Sequence, residues 1–351
     1  VRLDIYYVYN NFWRKKLLDI LKVRKYVEDA YDLHIEFIEK IKSIYKIHTK
    51  YHQYCLKVIN YDFGHFLFII SAIKHLQNEK FRNIPEIINT KNKKNYIKIG
   101  DSYAYLCKWI NSRQCDYNNP LDILVATSKL AELHRKSHNF QVTDKMNPRI
   151  GWFKWIENFM TRRNEILDFK RRIMNKPHKE EFDVLYLEAM KEEIRMAESS
   201  IEHLKASDYI NSMKRQIKDG GFCHHDYANH NVLIDDQGEI NIIDFDYCMM
   251  DTYLHDLASL IIRVMKNGKW RLDNATFIID AYSAINNVRQ EDIPIMAAFM
   301  EFPQNYWQIG IQYYWEEQPW GEEHFIKKLN KIFRDRQDRL EFIEEFQNKK
   351  I

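Results

Sequence analysis

The 351-residue chain carries 53 basic and 50 acidic residues, a formal net charge of +3, with 45% hydrophobic and 29% charged residues. That length suffices for two separate cores, and so even a charge balance argues against nucleic acid or an anionic membrane as the main partner. Five scattered cysteines (Cys55, Cys107, Cys115, Cys223, Cys248) without a C-x-x-C predict neither a disulfide framework nor a zinc site, and suit a reducing compartment. The first thirty residues mix acids and bases with no apolar core before a small-residue cleavage site, and no run of about twenty apolar residues occurs, so neither a signal peptide nor a membrane span is expected. Glycine and proline are scarce, at 9 and 7, which favours long helices over a turn-rich β protein.

The chain from about Asn11 to Tyr31 has helical spacing through Phe12, Leu17, Leu18, Leu21 and Val27. Strand-like segments follow at His34–Ile38, Ser43–His48 and Tyr54–Ile59. Lys57 sits inside the last of these, either as an edge-strand lysine facing water or as a cation fixed to reach phosphates. The turn near Glu39–Ser43 holds no glycine, which hinders close backbone approach to a phosphate. A helix is expected at His65–Asn78, without an acid in its middle to orient Lys57. A hairpin across Gly100-Asp101-Ser102 joins Tyr96–Ile99 to Tyr103–Trp109. Its end, Lys108-Trp109-Ile110, is either an ordinary strand or a hinge whose backbone meets adenine.

Beyond the hinge the pattern turns helical. Leu121 to His138 is a helix with Leu124, Ala131, Leu133 and His134 on one face, and His134 is read as structural. Trp152 to Met213 is helical and charge-rich, broken near Pro177. Phe302 to Phe325 places Tyr306, Trp307, Tyr313, Tyr314 and Trp315 ahead of Glu316, Glu317, Glu322 and Glu323. Aromatic faces beside carboxylates suit a cationic guest; equally, a helix packing its aromatic side inward with its acids in water has this pattern. Lys327 to Ile351 predicts a charged amphipathic surface helix.

The chemistry concentrates in Cys223–Asp256. His224 stands two before Asp226, Asn231 five after Asp226, and Asp244 thirteen after Asn231. Val232-Leu233-Ile234, the turn Asp235–Gly238, and Ile240, Ile242 and Ile243 predict a hairpin. Its closure would bring Asn231 and Asp244 to one point, where an amide oxygen and a carboxylate suit Mg²⁺. Asp226, just upstream, is placed to take a proton from a hydroxyl.

Lys57, the hinge, Leu130-Ala131-Glu132-Leu133-His134, His224-x-Asp226-(x)4-Asn231, Asp244-Phe245-Asp246 and His255-Asp256-Leu257-Ala258 occur in one order. Together they resemble the aminoglycoside phosphotransferase/choline kinase superfamily over about residues 35–320, and within it most nearly the CotS-like spore-coat group. The resemblance implies an α+β, two-lobed protein-kinase-like fold. An antiparallel sheet lobe would span 1–110 and a mainly helical lobe 111–351. It further implies ATP and Mg²⁺ as cofactors, with Asp226 as catalytic base beside His224 and with Asn231 and Asp244 on the metal. Lys57 would contact phosphate, and the backbone of Lys108, Trp109 and Ile110 adenine. Asp256 would brace the catalytic loop, and Asp246 would add charge near the metal. The implied function is phosphoryl transfer to a hydroxyl of a small, possibly cationic, molecule. The alternative is a weak or inactive kinase-fold component of the spore coat, with coat proteins as partners. The implied location is the mother-cell cytoplasm or the coat.

Overall fold

The computed structural model describes residues 19–266 and 268–350. Phe12, Leu17 and Leu18 of the predicted first helix lie outside them; residues 19–30 are helical (α1). The described chain forms two compact units, and neither is continuous in sequence. The first runs to Gln114 and adds Gln141–Arg149 and Asn231–Asp246; the second holds Cys115–Phe140, Ile150–His230 and the chain from Tyr247 onward.

The first unit contains a five-stranded antiparallel sheet in the order β1-β2-β3-β5-β4. These are β1 Phe37–Ile41, β2 Ile44–His48, β3 Gln53–Ile59, β4 Ile97–Ile99 and β5 Ser102–Lys108, with helix α2, Phe63–Asn78, between β3 and β4. Alternation assigns the faces of β3. Tyr54 and Leu56 pack with Val23, Val27, Ile47 and Leu106 against α1, so Cys55 and Lys57 take the opposite face. The β1–β2 connection is a two-residue turn at Lys42 and Ser43, and Lys42 takes φ +51° where glycine would be at ease. A second sheet orders β6 (Ser112–Gln114), β7 (Val232–Asp235) and β8 (Ile240–Ile242). The predicted hairpin is its β7–β8 pair, in register Val232↔Ile242, turning on Gly238 at φ +81°.

The second unit is helical: α3 Pro120–Lys136, α4 Trp155–Met174, α5 Glu181–Ala206, α6 Tyr209–Asp219, α7 Tyr253–Met265, α8 Leu272–Ser283, α9 Asp292–Glu301, α10 Gln304–Gly310 and α11 Glu322–Gln347. Helix α3 starts where Asn119 caps the Leu121 N–H and Pro120 supplies a preset φ. Helix α6 stops at Gly220, left-handed at φ +61°. Phe169, Tyr186, Tyr306 and Leu329 share one core. Gly310 is required there, since a Cβ would lie 2.4 Å from Tyr186 Oη. The expected charged amphipathic helix at the end of the chain is α11, which buries Phe325, Leu329, Phe342, Ile343 and Phe346. Their spacing places them on one stripe, and only the opposite face is solvated.

Candidate active site

In the first unit, Lys57 is 7% exposed, and its Nζ lies 2.6 Å from Asp244 Oδ1 and 2.8 Å from Asp246 Oδ1. Burial is the largest single influence on the ammonium and would lower its pKa, but the two carboxylates outweigh it and raise the value. No acid of α2 takes part in these contacts, as the sequence of that helix requires. The hairpin sets the other polar groups. The Ile243 N–H donates to the Asn231 carbonyl at 2.9 Å, so Asn231 stands across the ladder from the residue before Asp244. Asp244 takes φ +68°, a region that aspartate tolerates better than most side chains. An amide oxygen and a carboxylate at adjoining ladder positions are a hard-oxygen donor set that fits Mg²⁺.

The end of β5 is only partly open to a ligand. Lys108 is exposed, and the Trp109 N–H is already donated to the Gln53 carbonyl at 2.9 Å. The Trp109 ring lies under Lys46 Nζ at 4.4 Å.

In the second unit, one buried carboxylate organises the loop that carries Asp226. Asp256, at 0% exposure, accepts the N–H groups of His224 at 2.7 Å and His225 at 2.9 Å, and is bonded by His134 at 3.2 Å and His255 at 3.3 Å. Burial would push its carboxyl up, but the bonds from His134 and His255 hold it well below the usual range. His134, Cys223 and Asp256 are close enough to hold a metal among the described residues. However, Cys223 Sγ already contacts the Asp251 and Thr252 carbonyls, and Asp256 serves amides and rings, so the group works as a brace.

His224 is wholly buried, and its Nδ1 lies 3.3 Å from the Asp226 amide, which makes it a positioning residue for the loop. His225 takes φ +68° and stacks on His255 with centroids 3.6 Å apart. Asp226 borders a cavity of about 950 Å³ within the second unit, with Trp155, His225, Asp251, His255 and Phe299 also in its wall. Arg263, two helical turns beyond Asp256 on α7, meets Asp226 Oδ1 at 2.8 Å. Sequence analysis passes over Arg263; its spacing from Asp256 along one helix face was the available signal.

Tyr306 and Tyr314 of the aromatic segment are packed inward, Trp315 and Trp320 stay exposed, and several of its rings are met by the protein's own cations. Tyr306 stacks on Tyr186 at 4.1 Å, and Tyr314 donates to Asp183 at 3.0 Å. Arg162 lies over Trp307 at 4.6 Å, Arg172 over Trp315 at 5.9 Å, and Lys176 over Tyr313 at 5.4 Å.

A family model described as spore coat putative kinase YutH matches residues 24–346. The chain belongs to that family. It is 22% identical over 321 residues to spore coat protein S of Bacillus subtilis (strain 168), covering 90% of this chain and 91% of that one. An aminoglycoside phosphotransferase from Alicyclobacillus acidocaldarius aligns with TM-score 0.80 at 21% identity, covering 92% of this chain and 94% of the other. Spectinomycin phosphotransferase, solved with ADP and spectinomycin, aligns with TM-score 0.66 at 16% identity, covering 95% and 98%. At such identities the structural likeness carries the fold: this member of the spore coat kinase-like family is two-lobed, α+β and kinase-like. No helix among its described residues is long and apolar enough to cross a membrane.

Proposed function

We propose that this spore coat family member is a phosphotransferase that moves the γ-phosphoryl of ATP to a hydroxyl of a small molecule. The observation that carries the proposal is the buried Lys57 ammonium held 2.6 Å from Asp244, on the hairpin that begins at Asn231. Lys57 rests on the two acids beside it, and phosphate oxygens would replace part of that contact. Asn231 and Asp244 would hold Mg²⁺, which when bound supplies charge neutralisation at the transferring group. Lys57 would add a second positive charge there. The backbone at Lys108 to Ile110 would meet adenine, with the Trp109 N–H already spent.

Asp226 would accept the acceptor's proton as the oxygen–phosphorus bond forms, its carboxylate oriented by Arg263 and its loop fixed by Asp256 and His224. The spectinomycin phosphotransferase of similar fold was solved with ADP and spectinomycin together, which supports a nucleotide and a small-molecule acceptor for this chain. In the aromatic segment Trp307 and Tyr313 already face internal cations, which leaves the partly exposed Trp315 and Trp320 as the rings a cationic acceptor could meet.

A second reading has its own observation. The β1–β2 connection is a two-residue turn with no glycine, which leaves little backbone to cover a phosphate. That favours a kinase-fold component of the coat that does not turn over. Thermal shift with ATP and Mg²⁺, followed by acceptor-dependent ATP consumption, separates the two. Binding with turnover supports the phosphotransferase; binding without turnover on a broad hydroxyl panel supports the structural role. Absence of Mg-ATP binding removes the phosphotransferase reading.

A further inference from the structure

The cavity beside Asp226 carries more Lys and Arg side chains than carboxylates among the described residues, and Glu165 and Asp335, outside the wall, act on two of them without an ion pair. Each carboxylate in its wall is already engaged. Glu157 pairs with Lys154 at 2.8 Å, and Asp226 with Arg263 at 2.8 Å. Asp251 receives the Thr252 N–H at 2.8 Å, the Trp155 indole N–H at 3.3 Å and His225 Nε2 at 3.3 Å. Among the remaining cations, Arg339 is structural. It donates to the carbonyls of Met300, Glu301 and Phe302 at the end of α9, where a helix terminus welcomes positive charge.

Arg162 and Lys266 are different. Arg162 donates to the Gln304 amide at 2.7 Å and lies over the Trp307 ring, and it makes no ion pair among the described residues. Lys266, the residue that ends α7, makes no side-chain hydrogen bond or ion pair among the described residues. Burial, and then Arg263, lower the pKa of its ammonium; Asp335 acts the other way, and Arg339 adds a smaller lowering influence. Both side chains are half-buried, and positive charge partly withdrawn from water without a paired carboxylate is costly. A fold that keeps two such groups in the wall of a cavity gains most when a ligand brings the missing anion.

We propose that this cavity selects a small hydroxylated anion, bearing a carboxylate or a phosphate, whose charged group is held by Lys266 and Arg162 while a hydroxyl faces Asp226. This rests on the phosphotransferase reading for the role of Asp226 but not for the binding of the anion. The two cations come from different elements, Arg162 from α4 and Lys266 from the C-cap just past α7, and both line the same cavity. Charge-assisted, bidentate contact of an arginine with a carboxylate or phosphate is the geometry that such a site exploits.

The test is isothermal titration of the full chain with uncharged, anionic and cationic hydroxyl compounds of similar size. Inositol against inositol monophosphate probes phosphate, glucose against gluconate probes carboxylate, and glucosamine probes a cation. The expected result is that inositol monophosphate or gluconate binds at least about tenfold more tightly than its neutral partner and than glucosamine, the scale of one charged contact. Lys266→Gln and Arg162→Gln should each lose about tenfold or more of that affinity. Lys266→Arg should retain most of it, and all three variants should keep the wild-type thermal shift with Mg-ATP. Equal binding of charged and neutral probes, preference for glucosamine, or no binding of either anion overturns the proposal. So does a Lys266→Gln variant that loses Mg-ATP binding and keeps anion binding, because the cations would then serve the nucleotide. If wild type fails to bind Mg-ATP yet prefers the anions, the kinase reading falls and the anion site stands.

Discussion

Asp256→Asn is the sharpest test of how the Asp226 loop is held. The carboxylate has two donors on each oxygen: the His224 N–H and His134 on Oδ2, and the His225 N–H and His255 on Oδ1. An amide can present its oxygen to only one side. Whichever way it flips, its own N–H₂ faces a buried backbone N–H, and the charge that draws the two imidazoles is gone. Losing charge-assisted bonds and leaving a buried donor unsatisfied together cost about 3–5 kcal/mol. Urea unfolding followed by tryptophan fluorescence should show the midpoint falling by roughly 1 M with the slope unchanged. A loss under about 1 kcal/mol would show that the loop does not depend on this carboxylate.

Other outcomes are expected. Asp226→Asn should leave Mg-ATP binding intact and lower acceptor-dependent turnover about 10²-fold or more, read from initial rates with saturating ATP. Asp244→Asn should instead weaken the Mg-ATP thermal shift itself, because it removes charge from the group that would hold the metal and releases one partner of Lys57. His65, His138 and His255 are each held below the usual imidazole value of 6.5, chiefly by burial. The unfolded chain therefore takes up protons first. The stability these residues contribute is present above 6.5 and is lost as pH falls through their folded values, so the unfolding temperature should be lower at about pH 5 than at about pH 7.5. Gly310→Ala would set a Cβ 2.4 Å from Tyr186 Oη and 2.6 Å from the Phe169 ring, and should cost roughly 1–3 kcal/mol in the same urea assay.

What could be read from the sequence was what local spacing encodes. The Val232–Ile243 hairpin lies as its alternation and its Asp-Asp-Gln-Gly turn require, and the helices start and stop at recognisable caps such as Asn119 and Gly220. Lys57 had two readings on its own, as any strand lysine does. Only the fold brings Asp244 to it, across 187 residues. The aromatic and acidic run at Phe302–Phe325 had two meanings because composition does not say which way a ring faces; the deciding partners, Arg162, Arg172 and Lys176, come from elsewhere in the chain. The cavity cations Arg162 and Lys266 share no motif at all. They are found only once α4 and α7 are seen to wall one space. The amphipathic character of α11 was legible in the spacing of Phe325, Leu329, Phe342 and Phe346, but not the core that receives its apolar face.

The discontinuity of the first unit bears on how the protein is made. Among the described residues strand β6 pairs with β7 alone, and the Asn83 amide donates to the Ile240 carbonyl at 2.6 Å, yet β7 and β8 lie more than a hundred residues further on. A ribosome adding about 5–20 residues per second leaves β6 and Asn83 waiting for several seconds to tens of seconds, while the helices through α6 emerge in between. During that interval the nascent chain shows an unpaired strand edge. The first unit becomes complete only when Asp246 is released, so the residues that would handle the nucleotide are among the last of that unit to settle.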